Sequence, residues 1–167
     1  MIARRKLVIF LFGLLAEARS AVWHAATEAE LKQIIPARAE VEKERIETEF
    51  RTASGITDGK GHFVAAVLLI TAGYSADGKY SHYVMSRVPL KIGDFELKPG
   101  EYAVGWTRGQ DSLNVKFYDA HTGDLVGTVE AKRTARIGRI ESFHIYPPGE
   151  KALFQIGRFA FGYQLRE

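Results

Sequence analysis

The 167-residue sequence contains no cysteine. That excludes disulfides, thiolate metal centres, cysteine nucleophiles and a lipid-modified cysteine anchor. Also missing is any apolar run near the roughly 20 residues a bilayer-spanning helix needs. The run Leu7 to Ala16 holds ten. There is no G-x-S-x-G elbow, no S-x-x-K pair and no phosphate-cradling glycine loop, because Gly55, Gly59 and Gly61 are scattered among turn residues ahead of a strand. No linker, repeat or low-complexity tract interrupts the body. Charge imbalance is scarce too. The formal net charge is +3, yet Arg4, Arg5, Lys6 and Arg19 stand in the first twenty residues against Glu17 alone, which leaves 19 bases and 19 acids beyond them. A neutral body lacks the field that draws phosphate backbones, so nucleic acid is not an expected partner.

What the first twenty residues do contain is an export pattern. Arg4-Arg5-Lys6 forms a charged start, Leu7 to Ala16 an apolar centre, and Ala16-Glu17-Ala18 or Ala18-Arg19-Ser20 a small-residue cleavage site. The expectation is a signal peptide over 1–20 and one domain over 21–167, periplasmic or extracellular, with no transmembrane span in the mature chain.

The body reads as short strands. Phe63 to Ile70 is apolar at both parities, so both of its faces should be covered. Ser75-Ala76-Asp77-Gly78 predicts a turn, and Lys79 to Met85 a second, half-buried strand completing a hairpin. Thr27 and Glu30 make a capping box for a short helix that Pro36 ends, and its Leu31, Ile34 and Ile35 stripe should dock on the sheet. Within Glu40 to Thr52, Ile46, Thr48, Phe50 and Thr52 alternate with charges. That favours a strand, although Glu42, Ile46 and Phe50 also fit helical spacing. Further strand signals run from Lys91 to Leu165 between turns. The predicted fold is all-β, a mainly antiparallel β-sandwich or partly closed barrel of eight or nine short strands with one N-terminal helix.

Two segments carry a resemblance. Leu97-Lys98-Pro99-Gly100-Glu101-Tyr102 is similar to the Leu-x-Pro-Gly-x-Tyr turn-and-strand of carboxypeptidase-regulatory-like and prealbumin-like sandwich domains. Asp119-Ala120-His121-Thr122-Gly123 resembles their Asp-x-x-Thr-Gly hairpin. The resemblance implies a scaffold or recognition module rather than an enzyme.

Candidate sites are few. Asp119, His121 and Asp124 share a predicted turn and offer a weak surface metal site, against a reading in which Asp119, Thr122 and Asp124 serve only the turn. Lys132, Arg133, Arg136 and Arg139 form the one basic cluster of the body, suited to an anionic glycan, a lipid headgroup or an acidic partner. Trp106 is the aromatic to line such a pocket. His144 reads as a half-exposed sheet residue, and Glu141 as one of several solvated acids. No cofactor is expected. The sum is a non-catalytic binding or accessory module of the cell envelope, with an envelope protein, glycan or lipid as partner. The alternatives are an apolar-ligand barrel or a small envelope-glycan hydrolase.

Overall fold

The computed structural model describes residues 22–166, so the export pattern at 1–20 lies outside the described residues. The helix α1 (Glu28–Ile34) forms as the capping box requires. Thr27 Oγ1 accepts from the Glu30 amide at 3.2 Å, and Glu30 Oε2 accepts from the Thr27 amide at 2.8 Å. Around it the chain forms fourteen strands among the described residues: β1 (His24–Ala25), β2 (Arg38–Val41), β3 (Glu44–Thr57), β4 (Phe63–Leu69), β5 (His82–Ser86), β6 (Leu90–Ile92), β7 (Phe95–Leu97), β8 (Gly100–Arg108), β9 (Ser112–Asp119), β10 (Leu125–Arg133), β11 (Glu141–Ile145), β12 (Leu153–Gly157), β13 (Phe159–Gly162) and β14 (Gln164–Leu165). The surplus over eight or nine comes from pieces of two to four residues, too short for periodicity to register.

The all-β architecture is a nearly closed antiparallel barrel. Its order is β1-β3-β4-β5-β8-β9-β10-β13-β12-β11, with β2 paired to β3. A separate sheet, β14-β6-β7, packs into the barrel, where Leu90, Ile92 and Leu97 are fully buried. Phe95 lies against Phe117 with ring centroids 5.7 Å apart and sits over Gly127. A Cβ at that glycine would meet the Phe95 ring at 2.3 Å. Side chains fill the interior. Phe154 stacks on Phe161 at 5.1 Å, and Phe117, Phe143 and Phe154 are fully buried.

β4 is covered on both faces, as its unbroken apolar run requires. Val64 and Ala66 face the barrel core, while Ala65, Val67 and Leu69 join an outer core with Leu31 of α1, Ile35 at its C-terminal cap, Ile46, Tyr83, Met85 and Ala103. That outer layer corrects two expectations. β5 is buried at every position rather than half-buried, because an outer layer drawn from α1, β2, the start of β3 and the 70–81 loop covers the face that an isolated hairpin would wet. The hairpin is also not tight. His82 pairs with Leu68, and residues 70–81 form a folded loop that buries Ala76 and Tyr80. Gly105 of β8 admits that loop, since a Cβ there would fall 2.1 Å from the Lys79 carbonyl oxygen.

The charged stretch Glu40 to Thr52 is strand, divided between β2 and β3 by a turn in which Glu42 takes φ 54°. β3 then breaks register. Glu49 pairs with Leu68 and Ser54 with Ala66, so five steps on β3 oppose two on β4. Thr52 Oγ1 repairs the gap by accepting from the Leu68 amide at 2.9 Å and donating to the Glu49 carbonyl at 2.7 Å.

Candidate functional site

The barrel stops short of closure where the register break faces β11. Among the described residues β11 has one strand partner, β12, and its other edge looks toward Arg51–Gly55. The Ile145 amide crosses the seam to donate to Ser54 Oγ at 3.0 Å. Beside that bridge lies a cleft of about 490 Å³, with Arg51, Ser54, Arg139, Glu141, Ser142 and His144 among its lining residues. Bulges next to sheet edges are where folds commonly place binding sites, because they free backbone groups and re-aim side chains.

The cleft holds a serine, a histidine and a carboxylate within contact. His144 Nδ1 lies 2.8 Å from Glu141 Oε2 and 3.4 Å from Ser54 Oγ. Both neighbours therefore address one ring nitrogen. A nucleophilic relay needs them on opposite nitrogens, so that the ring takes the serine proton at one side while the acid steadies the other. Here Ser54 is buried and already accepts from Ile145. The contacts orient the imidazole, which also meets Tyr146 edge-on at 4.4 Å. Sequence reasoning read His144 as a half-exposed sheet residue and Glu141 as a solvated acid, and did not single out Ser54. Nothing local marks the association, since Ser54 and His144 are 90 positions apart.

The turn 119–124 forms no metal site. Asp119 Oδ1 accepts from the His121 and Thr122 amides at 2.8 and 2.9 Å, which uses the carboxylate to shape the turn. The Thr122 amide is the chief influence holding the Asp119 carboxyl below its ordinary pKa, against the opposing effect of burial. His121 turns toward Glu101 at 3.6 Å. Among the described residues no three His, Asp or Glu side chains are placed to hold a metal ion.

Lys132, Arg133, Arg136 and Arg139 are all exposed. Lys132 and Arg133 close β10 beside Arg158, and Arg139 reaches the seam cleft. Trp106 does not join them. It is half-buried, stacks on His82 at 5.4 Å and lines a separate pocket near Lys79 and Tyr80. His82 sits between Trp106 and Phe143, its ring centroid 4.9 Å from the latter's, with Nδ1 3.1 Å from Ser81 Oγ and no partner for Nε2 among the described residues. Burial pushes its pKa down to about 4, so the ring is neutral at ordinary pH.

The Pro99-Gly100 turn opens β8, where the Tyr102 hydroxyl donates back to the Lys98 carbonyl at 2.5 Å. No family model, curated protein or solved structure matches the chain. No described helix is long and apolar enough to cross a membrane.

Proposed function

We propose that the protein is an exported, non-catalytic binding module of the cell envelope, and that it receives an extended peptide segment of an envelope partner in the seam between β3 and β11. The observation that carries this reading is the unfinished ring, in which β11 presents an edge without a strand partner among the described residues to a cleft of about 490 Å³ lined by polar and apolar groups alike. A strand edge offers backbone donors and acceptors in a row, and an added strand satisfies them. Arg51, Arg139 and Glu141 supply charges for side-chain selection at the rim. Export rests on the pattern of residues 1–20, and the absence of catalysis on the shared nitrogen of His144. Aromatic side chains stacked through the barrel favour a surface site over an interior apolar-ligand site.

The test is an amide-resolved NMR titration with pools of extended peptides, soluble cell-wall glycan fragments and lipids. Shifts confined to residues 51–55 and 139–145 on adding peptide, abolished by Ser142→Trp, are the expected result. A response to glycan alone, or cleavage of any added pool, would overturn the reading.

A further inference from the structure

Beyond the seam, the opposite side of the Thr134–Ile140 connection carries a second concentration of chemistry. Register places Arg133 opposite Phe159 at the end of β10, where it shares a hollow with Arg158, while Lys132, opposite Ala160, points to the other face of the sheet. The Arg133 guanidinium lies over the Phe159 ring, 5.4 Å from its centroid. Arg136 and Arg139 follow on the connection, and its backbone is fixed in place. The Thr134 amide donates to the Arg158 carbonyl at 3.2 Å, buried Gln155 Nε2 to the Arg139 carbonyl at 2.9 Å, and Lys151 Nζ to the Arg136 carbonyl at 2.5 Å. Among the described residues none of Lys132, Arg133, Arg136, Arg139 or Arg158 has an acidic side chain within ion-pair distance. The nearest acid in sequence, Glu141, is engaged by His144, and Glu130 lies two residues before Lys132 on the same strand face.

Two apolar side chains stand among these cations. Ile137 and Ile140 line a shallow hollow of about 370 Å³ together with Arg133 and Arg158, and Ile140 is 53% exposed. An exposed isoleucine ringed by arginines suits an interface that is negatively charged at its surface and oily just beneath it. A soluble anion would use the arginines and ignore the isoleucine. A protein partner would more commonly offer a shaped apolar counterpart than a fluid one.

We propose that this end of the barrel docks on an anionic lipid surface, with Arg133, Arg136, Arg139 and Arg158 at the headgroups and Ile140 entering the acyl boundary. The body as a whole is neutral, so attraction is local and depends on contact rather than long-range steering. Such docking is reversible and salt-sensitive, because a few cations and one apolar side chain fall far short of a permanent anchor.

The test is co-sedimentation of the protein, expressed from its full sequence, with vesicles of phosphatidylcholine alone or containing about one third phosphatidylglycerol. Comparing variants within the same chain separates the patch from any contribution of residues 1–20. Arg133→Glu combined with Arg158→Glu should weaken binding to anionic vesicles at least about tenfold, and Ile140→Ser by about threefold. Lys91→Glu, on β6, should leave it unchanged. Raising salt from about 0.1 to 0.5 M should release the wild type. In Ile140→Trp, anionic vesicles should shift the tryptophan emission to the blue. Equal binding by wild type and the double reversal would overturn the proposal. So would equal affinity for a soluble polyphosphate with no response to Ile140→Ser, which would assign the patch to a dissolved anion. Arg133→Glu with Arg158→Glu alters no side chain lining the seam cleft, whereas Ile140 borders both hollows, so the double reversal separates a failure here from a failure of the peptide reading of the seam.

Discussion

Ser54 Oγ accepts from the Ile145 amide at 3.0 Å, a side-chain bond where a closed barrel would have a ladder of backbone bonds. Ser54→Ala leaves that buried N–H without an acceptor, and loss of one such bond destabilises by about 1–2 kcal/mol. The expected result is a fall in Tm of a few degrees, with faster hydrogen exchange at the Ile145 amide than elsewhere in β11. Unchanged protection at Ile145 would show that the seam is held by something else.

His82 makes stability depend on acid. Its ring titrates at about 4 in the folded protein, against an ordinary value of 6.5, because burial disfavours the charged form. Below pH 6.5 the unfolded chain therefore binds a proton that the folded chain refuses. Stability should drop as pH falls from about 6.5 to about 4, by on the order of 3 kcal/mol, and this contribution should level off below that. His82→Leu keeps the packing between Trp106 and Phe143 and removes the unpartnered nitrogen. Urea denaturation across this pH range should give a flatter curve for the variant, with a stability gain of about 1 kcal/mol at neutral pH. An equally steep curve for the variant would place the acid sensitivity in another group, since the level of the curve also carries the loss of the 3.1 Å contact between Nδ1 and Ser81 Oγ.

Gly127 yields its space to Phe95. A methyl group there would overlap the ring, so Gly127→Ala should destabilise by about 1–3 kcal/mol through overpacking. Phe95→Leu in the same chain should recover part of that loss, and a double-mutant cycle measures the coupling. Additive effects would place the Phe95 ring elsewhere.

Gln155 is the hub of the barrel's buried polar network. It accepts from the Tyr146 hydroxyl at 2.7 Å and donates to the Arg139 and Gly157 carbonyls at 2.9 and 2.8 Å, while the Tyr163 hydroxyl donates to the Tyr146 carbonyl at 2.5 Å. Gln155→Leu strands three groups at once and should lower stability by about 3 kcal/mol. Its effect should exceed that of Ser54→Ala in the same thermal scan; a smaller one would mean that the stranded groups reach water.

The sequence was readable wherever one residue's neighbours along the chain decide its state. The Thr27–Glu30 cap, Pro36 as a stop, the two-faced burial of Val64 to Val67 and the turn role of Asp119 all follow from local chemistry. It was opaque where distant segments meet. Burial of β5 depends on α1 and β2, some forty to fifty residues earlier, so nothing in Lys79 to Met85 itself foretells the outer core that covers it. Ser54 and Ile145, 91 positions apart, give no hint of each other. The basic cluster was visible as composition, but its joining with Arg158 and separation from Trp106 are matters of register.

β3 runs through both cores. Its Ile46 packs in the outer one and its Ile56 in the inner one, with the Thr52 bridge between them. Neither layer can melt while the other keeps that strand straight, so the helix and hairpin wrapped on the outside have no separate lease of life. Calorimetry should record one heat-absorption peak, with the helical and aromatic signals vanishing at the same temperature.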